Sequence, residues 1–337
     1  MSLDTYAIEE INPWNSNVLD SDFLFPLDPY ESLLSSLGLV KGEWLNKWLL
    51  TKEDLLKACP MPSGCRTDWL WGLALPYLSR IERLHANSTK PIILGISGLP
   101  GTGKSTFGYW LKKVSDHLNL SVNVVSLDDF YKTSKELSVT LKGNPWDVPR
   151  GIPGSHSIDL LLDSMTRFSL NGELSCPQFD KSLRGGLGDR SAWINTSSKI
   201  LIIEGWFIGC RPEKKCLENS LGSSSYLNMP LTNSEIDYRV KIQDELKAYL
   251  PVWDHIHELW HIRPEEFNFV ASWKKEQELN MISTKGSGLK GQKLQNFIRM
   301  IHNCIPQESL MNIQSDHLTI FNQQRQLLWV GDSAEYI

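Results

Sequence analysis

The sequence predicts an α/β fold, in which a mostly parallel sheet is flanked by helices and preceded by a helical N-terminal extension. Three short apolar runs carry this prediction, namely residues 90–98 (KPIILGISG), 121–130 (SVNVVSLDDF) and 198–209 (SKILIIEGWFIG). Such runs are typical of strands that are covered on both faces, as in a parallel sheet. A helical pattern at 105–118 (STFGYWLKKVSDHL) follows the first run. Because strands and helices alternate, we expect right-handed βαβ units.

The N-terminal region is predicted to be mainly helical. Leucines and aromatic residues recur at helical spacing in three of its segments, 30–40 (YESLLSSLGLV), 52–60 (KEDLLKACP) and 68–87 (DWLWGLALPYLSRIERLHAN). Tryptophans at such spacing usually pack in a core or between domains. We expect this packing, rather than base stacking, of Trp44, Trp48, Trp69 and Trp71. The chain is therefore divided into a helical region at 1–88 that packs on a main domain at 89–337.

The second half of the chain is predicted to hold further helices and a last strand. Helical patterns at 236–262 and 265–279 predict a helical lid or insert around residues 235–306. Two polar, turn-rich segments, at 218–235 and 284–292, are expected to be surface loops. The segment 318–332 (LTIFNQQRQLLWVGD) is predicted as a late strand.

The motif GLPGTGKS at residues 98–105 matches G-x-x-x-x-G-K-[ST] between a predicted strand and a predicted helix. Its glycines allow backbone N–H groups to surround phosphate oxygens at the positive end of the helix. Lys104 is expected to reach the β- and γ-phosphates, and the Ser105 hydroxyl to ligate Mg²⁺. The alternative is a glycine turn with a solvated lysine. We predict a P-loop NTPase-type domain that binds ATP and Mg²⁺ through Gly98, Pro100, Gly101, Thr102, Gly103, Lys104, Ser105 and Thr106.

Carboxylates follow two of the predicted strands, at the sheet edge that carries the P-loop. Asp128 and Asp129 end the second apolar run, and Glu204 ends the third. GTPases, ATP-driven machines and small-molecule kinases share the P-loop, and phosphoryl transfer to a hydroxyl needs carboxylates as base and metal ligands. We expect Glu204 to hold Mg²⁺ directly or through water, Asp128 to face the acceptor, and Asp129 to be a helix N-cap or an outer partner of Mg²⁺. The alternative is that both aspartates only cap a helix.

A P-loop followed by DDFY and by an apolar strand that ends in EG resembles the group of uridine kinase, pantothenate kinase and phosphoribulokinase. Three blocks, 150–161 (RGIPGSHSIDLL), 177–190 (PQFDKSLRGGLGDR) and 201–209 (LIIEGWFIG), are similar to the D-glycerate 3-kinase branch. The likeness covers about residues 90–330. It implies a P-loop kinase domain that phosphorylates D-glycerate to 3-phosphoglycerate with ATP. It also implies that Asp128, in the D-[DSG]-F motif of this group, is the base.

The first and second of these blocks supply charges for an acceptor pocket. A small anion with vicinal hydroxyls requires cations for its carboxylate and hydrogen-bonding groups for the rest. Residues 150–156 offer Arg150 and His156 on a turn-rich loop, and residues 179–190 offer charges around three glycines. The predicted substrate-binding residues are Arg150, His156, Asp180, Lys181 and Arg190. For any one of them, a solvated loop residue is the alternative.

The predicted roles can be stated together. The catalytic residues are Asp128, Lys104 and Arg190, and the metal ligands are Ser105, Asp129 and Glu204. Three segments depart from the family pattern, and one of them, 284–291 (TKGSGLKG), replaces an expected approach that contains proline. Residues 297–310 (FIRMIHNCIPQESL) lack aromatic residues that are usual there, and Lys274 stands where arginine is common. Because lysine cannot form the bidentate contacts of arginine, the lid residues are not assigned.

Composition limits the partners of the protein. The 337 residues carry a formal net charge of −5, which disfavours sequence-independent binding to nucleic acid. The cysteines are scattered without a C-x-x-C pair, as in a reducing compartment. The N-terminal residues lack the features of a signal or transit peptide, and no apolar run reaches membrane-spanning length. We expect a cytoplasmic monomer that acts on a small molecule, without nucleic acid or membrane.

Two alternatives to a glycerate kinase stay open. One is a kinase of the same fold that acts on a nucleoside, pantothenate or a sugar phosphate. The other is a P-loop regulatory or binding protein without turnover, although the candidate carboxylates Asp128 and Glu204 are present.

Overall fold

The computed structural model describes residues 27–62, 64–213, 230–286 and 288–336. The strands are β1 Ile92–Gly98, β2 Val122–Ser126, β3 Glu173–Asp180, β4 Asp189–Ser197, β5 Ile200–Gly205, β6 Glu258–Pro264, β7 His317–Phe321 and β8 Leu327–Asp332. A six-stranded sheet has the order β2-β5-β1-β6-β7-β8, and only the pairing of β8 with β7 is antiparallel. Strands β3 and β4 form a separate antiparallel hairpin. The predicted α/β fold with a mostly parallel sheet is therefore confirmed.

Helices cover both faces of the sheet. In chain order they are α1 Leu27–Ser36, α2 Lys41–Ala58, α3 Thr67–Trp69, α4 Leu75–Asn87, α5 Lys104–His117, α6 Ser134–Thr140, α7 Ile158–Asn171, α8 Asn233–Lys247, α9 Leu250–Trp253, α10 Phe269–Lys285, α11 Gly291–Asn303 and α12 Gln307–Met311. A π-helical turn at Leu70–Ala74 joins α3 to α4. Within the described ranges, no helix combines the length and apolar character needed to cross a membrane.

The core has two halves, one on each face of the sheet. Neighbouring residues of a strand contribute to opposite halves, as Ile93 and Leu94 do on β1, because side chains alternate along a strand. The N-terminal helices share the half that contains Leu94. In that half Trp44 and Trp48 are buried, and both indole N–H groups donate to Ser79 Oγ at 2.9 Å. The N-terminal helices thus pack on the sheet, while a domain boundary at residue 88 stays a prediction.

The register of the strands brings the candidate site residues to one edge. Glu204 on β5 pairs with Ser126, the last residue of β2, and with Ile96 near the end of β1. The P-loop follows β1, and Asp128 follows β2 after one intervening residue. The carboxyl ends of these three strands therefore meet, as expected for the ligand-binding edge of an open parallel sheet.

The prediction of helices throughout 236–262 was wrong at its end. Residues Glu258–Pro264 form β6, which lies between β1 and β7 inside the sheet. Every residue of β6 is buried, including Glu258, His261 and Arg263. A buried parallel strand normally has a continuous apolar run. The polar residues of β6 interrupt such a run, so the sequence did not predict a strand here. The helical insert predicted around 235–306 accordingly contains a central strand.

Two further segments differ from their predictions. The single late strand predicted at 318–332 is a hairpin of β7 and β8, closed by a turn in which Asn322 N–H donates to Gln326 O at 3.0 Å. The loop predicted at 284–292 is shorter, because α10 continues to Lys285 and α11 begins at Gly291. Most of the loop predicted at 218–235 lies outside the described residues.

Candidate active site

The P-loop at residues 98–105 joins β1 to α5, as the sequence predicted. Gly101 and Gly103 have φ angles of 87° and 92°, which L side chains rarely adopt. A Cβ atom on Gly101 would also lie 2.7 Å from Cβ of Trp273 on α10. The first N–H groups of α5, which begins at Lys104, have no partner within their own helix. Together with the helix dipole, they make this end of α5 suitable for a phosphate.

Glu204 lies beside the P-loop at the end of β5. Its Oε1 accepts a hydrogen bond from the Ser105 hydroxyl at 2.8 Å, and its Oε2 lies 4.0 Å from Lys104 Nζ. The side chain is buried, and Oε2 has no hydrogen-bond partner among the described residues. Buried carboxylate oxygens are normally paired, so the chemistry of Ser105 and Glu204 suits a bound cation.

Asp128 lies at the same edge and pairs with a lysine from the β3–β4 hairpin. The short 3₁₀ helix Leu127–Phe130 carries Asp128, whose N–H donates to Ser126 Oγ at 3.3 Å. The Asp128 Oδ2 to Lys181 Nζ distance is 2.6 Å. Burial by itself would raise the pKa of Asp128, but Lys181, helped by Lys104, holds that pKa well below its usual range. Asp128 is therefore ionised at neutral pH and lies beside a cation.

Asp129 has a different environment from its neighbour. Its Oδ2 accepts the N–H of Ser126 at 3.1 Å, and its Oδ1 accepts the N–H of Phe179 on β3 at 3.3 Å. The first contact completes a capping box in which Ser126 is the N-cap. Burial raises the pKa of Asp129. Asp129 thus ties the end of β2 to the hairpin, and its role toward Mg²⁺ stays a prediction.

The ring of His156 packs on the ring of Tyr131, in the segment that carries Asp128. The two rings are stacked with centroids 4.5 Å apart, and Phe179 meets Tyr131 edge-on at 5.1 Å. His156 is completely buried, and burial lowers its pKa to about 3. Its Nδ1 lies 2.7 Å from the Tyr249 hydroxyl. The ring is therefore neutral, and any contact with a substrate would be a hydrogen bond and not a charge pair.

The remaining predicted substrate residues shape the hairpin and its surroundings. Arg150 Nη1 donates to the carbonyl oxygens of Gly186 and Leu187, at 2.9 and 2.8 Å, and so holds the hairpin tip. Arg190 Nε donates to Tyr131 O at 3.0 Å, while its Nη2 is buried without a hydrogen-bond partner among the described residues. Asp180 Oδ1 accepts the N–H of Ser182 at 2.8 Å at the turn. The structure thus brings Asp128, Lys181 and His156 together, and Arg150 supports the hairpin that carries Lys181.

Sequence reasoning did not assign two residues that the structure places around this site. Lys274 on α10 is 8% exposed, pairs with Glu278 at 2.5 Å and lies over the ring of Phe297 at 4.9 Å. Burial lowers its pKa, and Lys181 and Lys104 contribute in the same direction, so Lys274 lies within electrostatic reach of both. The other residue is Tyr249, on the far side of His156. In the segment 273–279 (WKKEQEL), Lys274 could be noticed because it stands where arginine is common. No sequence pattern pointed to Tyr249.

Comparisons with known proteins identify kinases that are similar to this chain. No protein-family profile matches the chain. The "uncharacterized kinase mug58" of Schizosaccharomyces pombe is 32% identical over 241 residues, which cover 68% of this chain and 84% of that protein. The chloroplastic D-glycerate 3-kinase of Arabidopsis thaliana is 24% identical over 299 residues, which cover 79% of this chain and 62% of that protein.

A solved structure shows the same fold. The D-glycerate 3-kinase of Cryptococcus neoformans var. grubii superposes with a TM-score of 0.64 at 24% identity, covering 76% of this chain and 96% of that chain. The resemblance predicted from the sequence is confirmed by these relatives. The chain is an ATP-dependent phosphotransferase and belongs to the D-glycerate 3-kinase-like family of P-loop kinases.

Proposed function

We propose that this protein phosphorylates D-glycerate to 3-phosphoglycerate with ATP and Mg²⁺. The observation that carries the proposal is the 2.6 Å pair of Asp128 and Lys181 at the sheet edge next to the P-loop. A carboxylate there can orient a hydroxyl, and a cation beside it can pair with an acid group. D-Glycerate has both a hydroxyl and a carboxylate within a few bonds. The Arabidopsis relative named D-glycerate 3-kinase supports the same acceptor.

The nucleotide side of the site fits ATP with Mg²⁺. The P-loop amides and Lys104 would hold the phosphates, and Ser105 with Glu204 would hold the metal, directly or through water. In the described part of the chain, no group of three or more His, Cys, Asp or Glu side chains could hold a metal by itself. Phosphate oxygens and water would therefore complete its shell. When bound, Mg²⁺ neutralises charge on the β- and γ-phosphates.

Asp128 is the group that handles the acceptor proton in this proposal. It orients the 3-hydroxyl and takes its proton as the hydroxyl oxygen bonds to the γ-phosphorus, while the bond from that phosphorus to the bridging oxygen of ADP breaks. Lys181 pairs with the acceptor carboxylate. As Lys181 turns from Asp128 to that carboxylate, the pKa of Asp128 rises, because an opposite charge has moved away. The base therefore gains strength when an acidic acceptor is bound.

Further cations around the pair would serve the anionic groups. The buried Nη2 of Arg190 has no hydrogen-bond partner in the described residues, and an anion would satisfy it. We assign Arg190 to the acceptor carboxylate or the transferring phosphoryl group. Lys274, close enough to influence Lys104 and Lys181, is assigned to the phosphoryl group. Positive charge at that position stabilises the charge that develops during transfer.

A coupled assay of ADP release tests the proposal. Purified full-length protein is given ATP, Mg²⁺ and one acceptor at a time: D-glycerate, uridine, pantothenate or ribulose 5-phosphate. We expect kcat/KM for D-glycerate to exceed the others at least tenfold, with 3-phosphoglycerate identified by NMR of the product, and Lys104→Ala to be inactive. A preference for another acceptor, or a product phosphorylated at the 2-hydroxyl, would overturn the proposal.

A further inference from the structure

His156 is locked to the segment that carries Asp128. Besides stacking on Tyr131, it forms an isolated antiparallel bridge with that residue. The flanking backbone adds two hydrogen bonds, from Lys132 N–H to Ser155 O at 3.0 Å and from Ser157 N–H to Phe130 O at 2.8 Å. The imidazole therefore has a fixed position relative to Asp128. Its hydrogen bonding then depends on which ring nitrogen carries the proton.

The contacts of Tyr249 determine which ring nitrogen of His156 carries the proton. The Tyr249 oxygen accepts the N–H of Gly154 at 3.0 Å, since a backbone N–H can only donate. The same hydroxyl lies 2.7 Å from His156 Nδ1. If Nδ1 carried the proton, the Tyr249 hydroxyl would accept twice, and its own proton would have no acceptor within hydrogen-bond distance among the described residues. The Tyr249 O–H therefore donates to Nδ1.

The other ring nitrogen is then an N–H donor. A neutral imidazole has one N–H, so a bare Nδ1 places the proton on Nε2. Nε2 is buried and has no hydrogen-bond partner in the described residues. The ring stacks on Tyr131, three residues after Asp128 in the chain, at a centroid distance of 4.5 Å. This position is next to the segment that carries Asp128, and Asp128, Lys132 and Lys181 all act electrostatically on the ring. Buried N–H groups without a partner are rare, which indicates that a bound molecule uses this one.

We propose that Tyr249 is a positioning residue that holds His156 as the neutral Nε2–H tautomer, and that this N–H donates to an oxygen of the acceptor next to Asp128. The identity of that acceptor rests on the proposed function, whereas the tautomer does not. The consequence is specificity for an acceptor with an oxygen at that place. Such a donor adds no charge, so it recognises a hydroxyl as well as a carboxylate oxygen.

Long-range ¹H–¹⁵N NMR of the histidine rings tests the tautomer in the full chain without substrate. In the wild type at pH 7 we expect His156 to show a bare Nδ1 and a protonated Nε2, with no titration between pH 5 and pH 8. Tyr249→Phe removes the donor to Nδ1 of His156. It also identifies the ring signals of His156, because the Nδ1 chemical shift or the tautomer ratio of this histidine changes in the variant. The matched control is Tyr238→Phe on α8, which loses a hydroxyl outside this network. A wild-type Nδ1–H tautomer, or titration near neutral pH, would overturn the proposal even if the Phe variant failed to fold.

Kinetics test the donor. With the best acceptor found in the coupled assay, Tyr249→Phe should raise KM for the acceptor roughly threefold to tenfold, the worth of one hydrogen bond, and leave KM for ATP unchanged. Tyr238→Phe should change neither. Equal rises of both KM values, or no rise, would contradict the role of the N–H. If the wild type did not use D-glycerate, the proposed function would fail, and the NMR result would still decide the tautomer.

Discussion

Lys181 Nζ lies 2.6 Å from Asp128 Oδ2, whereas both carboxylate oxygens of the adjacent Asp129 accept backbone N–H groups. Two neighbouring acids thus have opposite environments. The pKa of Asp128 is lowered by Lys181 in spite of burial, and the pKa of Asp129 is raised by burial. This difference predicts separate roles, with Asp128 in the chemistry and Asp129 in the structure.

Asparagine variants of the two acids should separate these roles. Asp128→Asn keeps size and polarity but cannot take a proton, so kcat should fall by roughly 10²–10⁴ while ATP binding is kept. Asp129→Asn should reduce kcat far less and should lower the melting temperature, because its two backbone contacts weaken. Both variants are measured across a Mg²⁺ titration. Full activity of Asp128→Asn, or its recovery at high Mg²⁺, would show that Asp128 is not the base.

Lys181→Met should move the acidic limb of the pH–rate profile. Without the lysine, burial is left to raise the pKa of Asp128, so the fall of kcat/KM toward acidic pH should shift to higher pH by about one unit or more. KM for D-glycerate should also rise, because the acid group loses its cation. The control is Lys247→Met, which removes an exposed pair with Asp244 on α8. An unchanged profile would contradict the electrostatic role of Lys181.

The same pair should contribute to stability in a defined pH window. The pKa of Asp128 is lower in the folded protein than the usual value of about 3.9 in the unfolded chain. Its stabilisation is therefore present above that pH and is lost as the pH falls toward the folded pKa. Denaturant unfolding of the wild type and of Lys181→Met should give free energies of unfolding that converge as the pH is lowered below about 4. The effect should be small, because Lys181 is half exposed.

Glu204→Gln should raise the Mg²⁺ concentration needed for half-maximal activity. The variant keeps the hydrogen bond to Ser105 but removes the charge beside the metal position. We expect a rise of about tenfold or more, with kcat partly restored at high Mg²⁺. The measurement is a Mg²⁺ titration at fixed ATP. An unchanged Mg²⁺ dependence would contradict the assignment of Glu204 to the metal site, since Ser105 and the phosphates would then be sufficient to bind Mg²⁺.

Lys274→Met tests a cation that is both buried and near the phosphates. Removing it leaves the carboxylate of Glu278 buried without a cation, although its Oε2 still accepts the N–H of Leu289 at 2.7 Å. The loss should cost about 3–5 kcal/mol of unfolding free energy. The double variant Lys274→Met/Glu278→Gln should recover part of this stability but none of the activity, if Lys274 serves the phosphoryl group. Denaturant unfolding and kcat are measured on both variants. If the double variant recovered kcat together with the unfolding free energy, the role of Lys274 would be purely structural.

The sequence by itself determined the features whose physics is local. A phosphate loop needs glycines, a lysine and a hydroxyl within eight consecutive residues, between a strand and a helix, so GLPGTGKS could be recognised directly. Asp128 and Glu204 could be placed at one sheet edge, because each ends an apolar run and parallel strands share a direction. The helical N-terminal region followed from the spacing of its leucines.

Only the tertiary structure decided the features that depend on distant residues. β6 was missed because Glu258 is buried by pairing with Arg80 at 2.8 Å and with His317 at 3.2 Å, partners that its local sequence does not contain. Lys181 lies 53 residues from Asp128 along the chain, and Tyr249 lies 93 residues from His156. Burial sets the charge of His156, and a hydrogen bond across the fold selects its ring proton. Such contacts form only when the chain folds. Because they join residues that are far apart in the sequence, they leave no local periodic pattern from which they could be predicted.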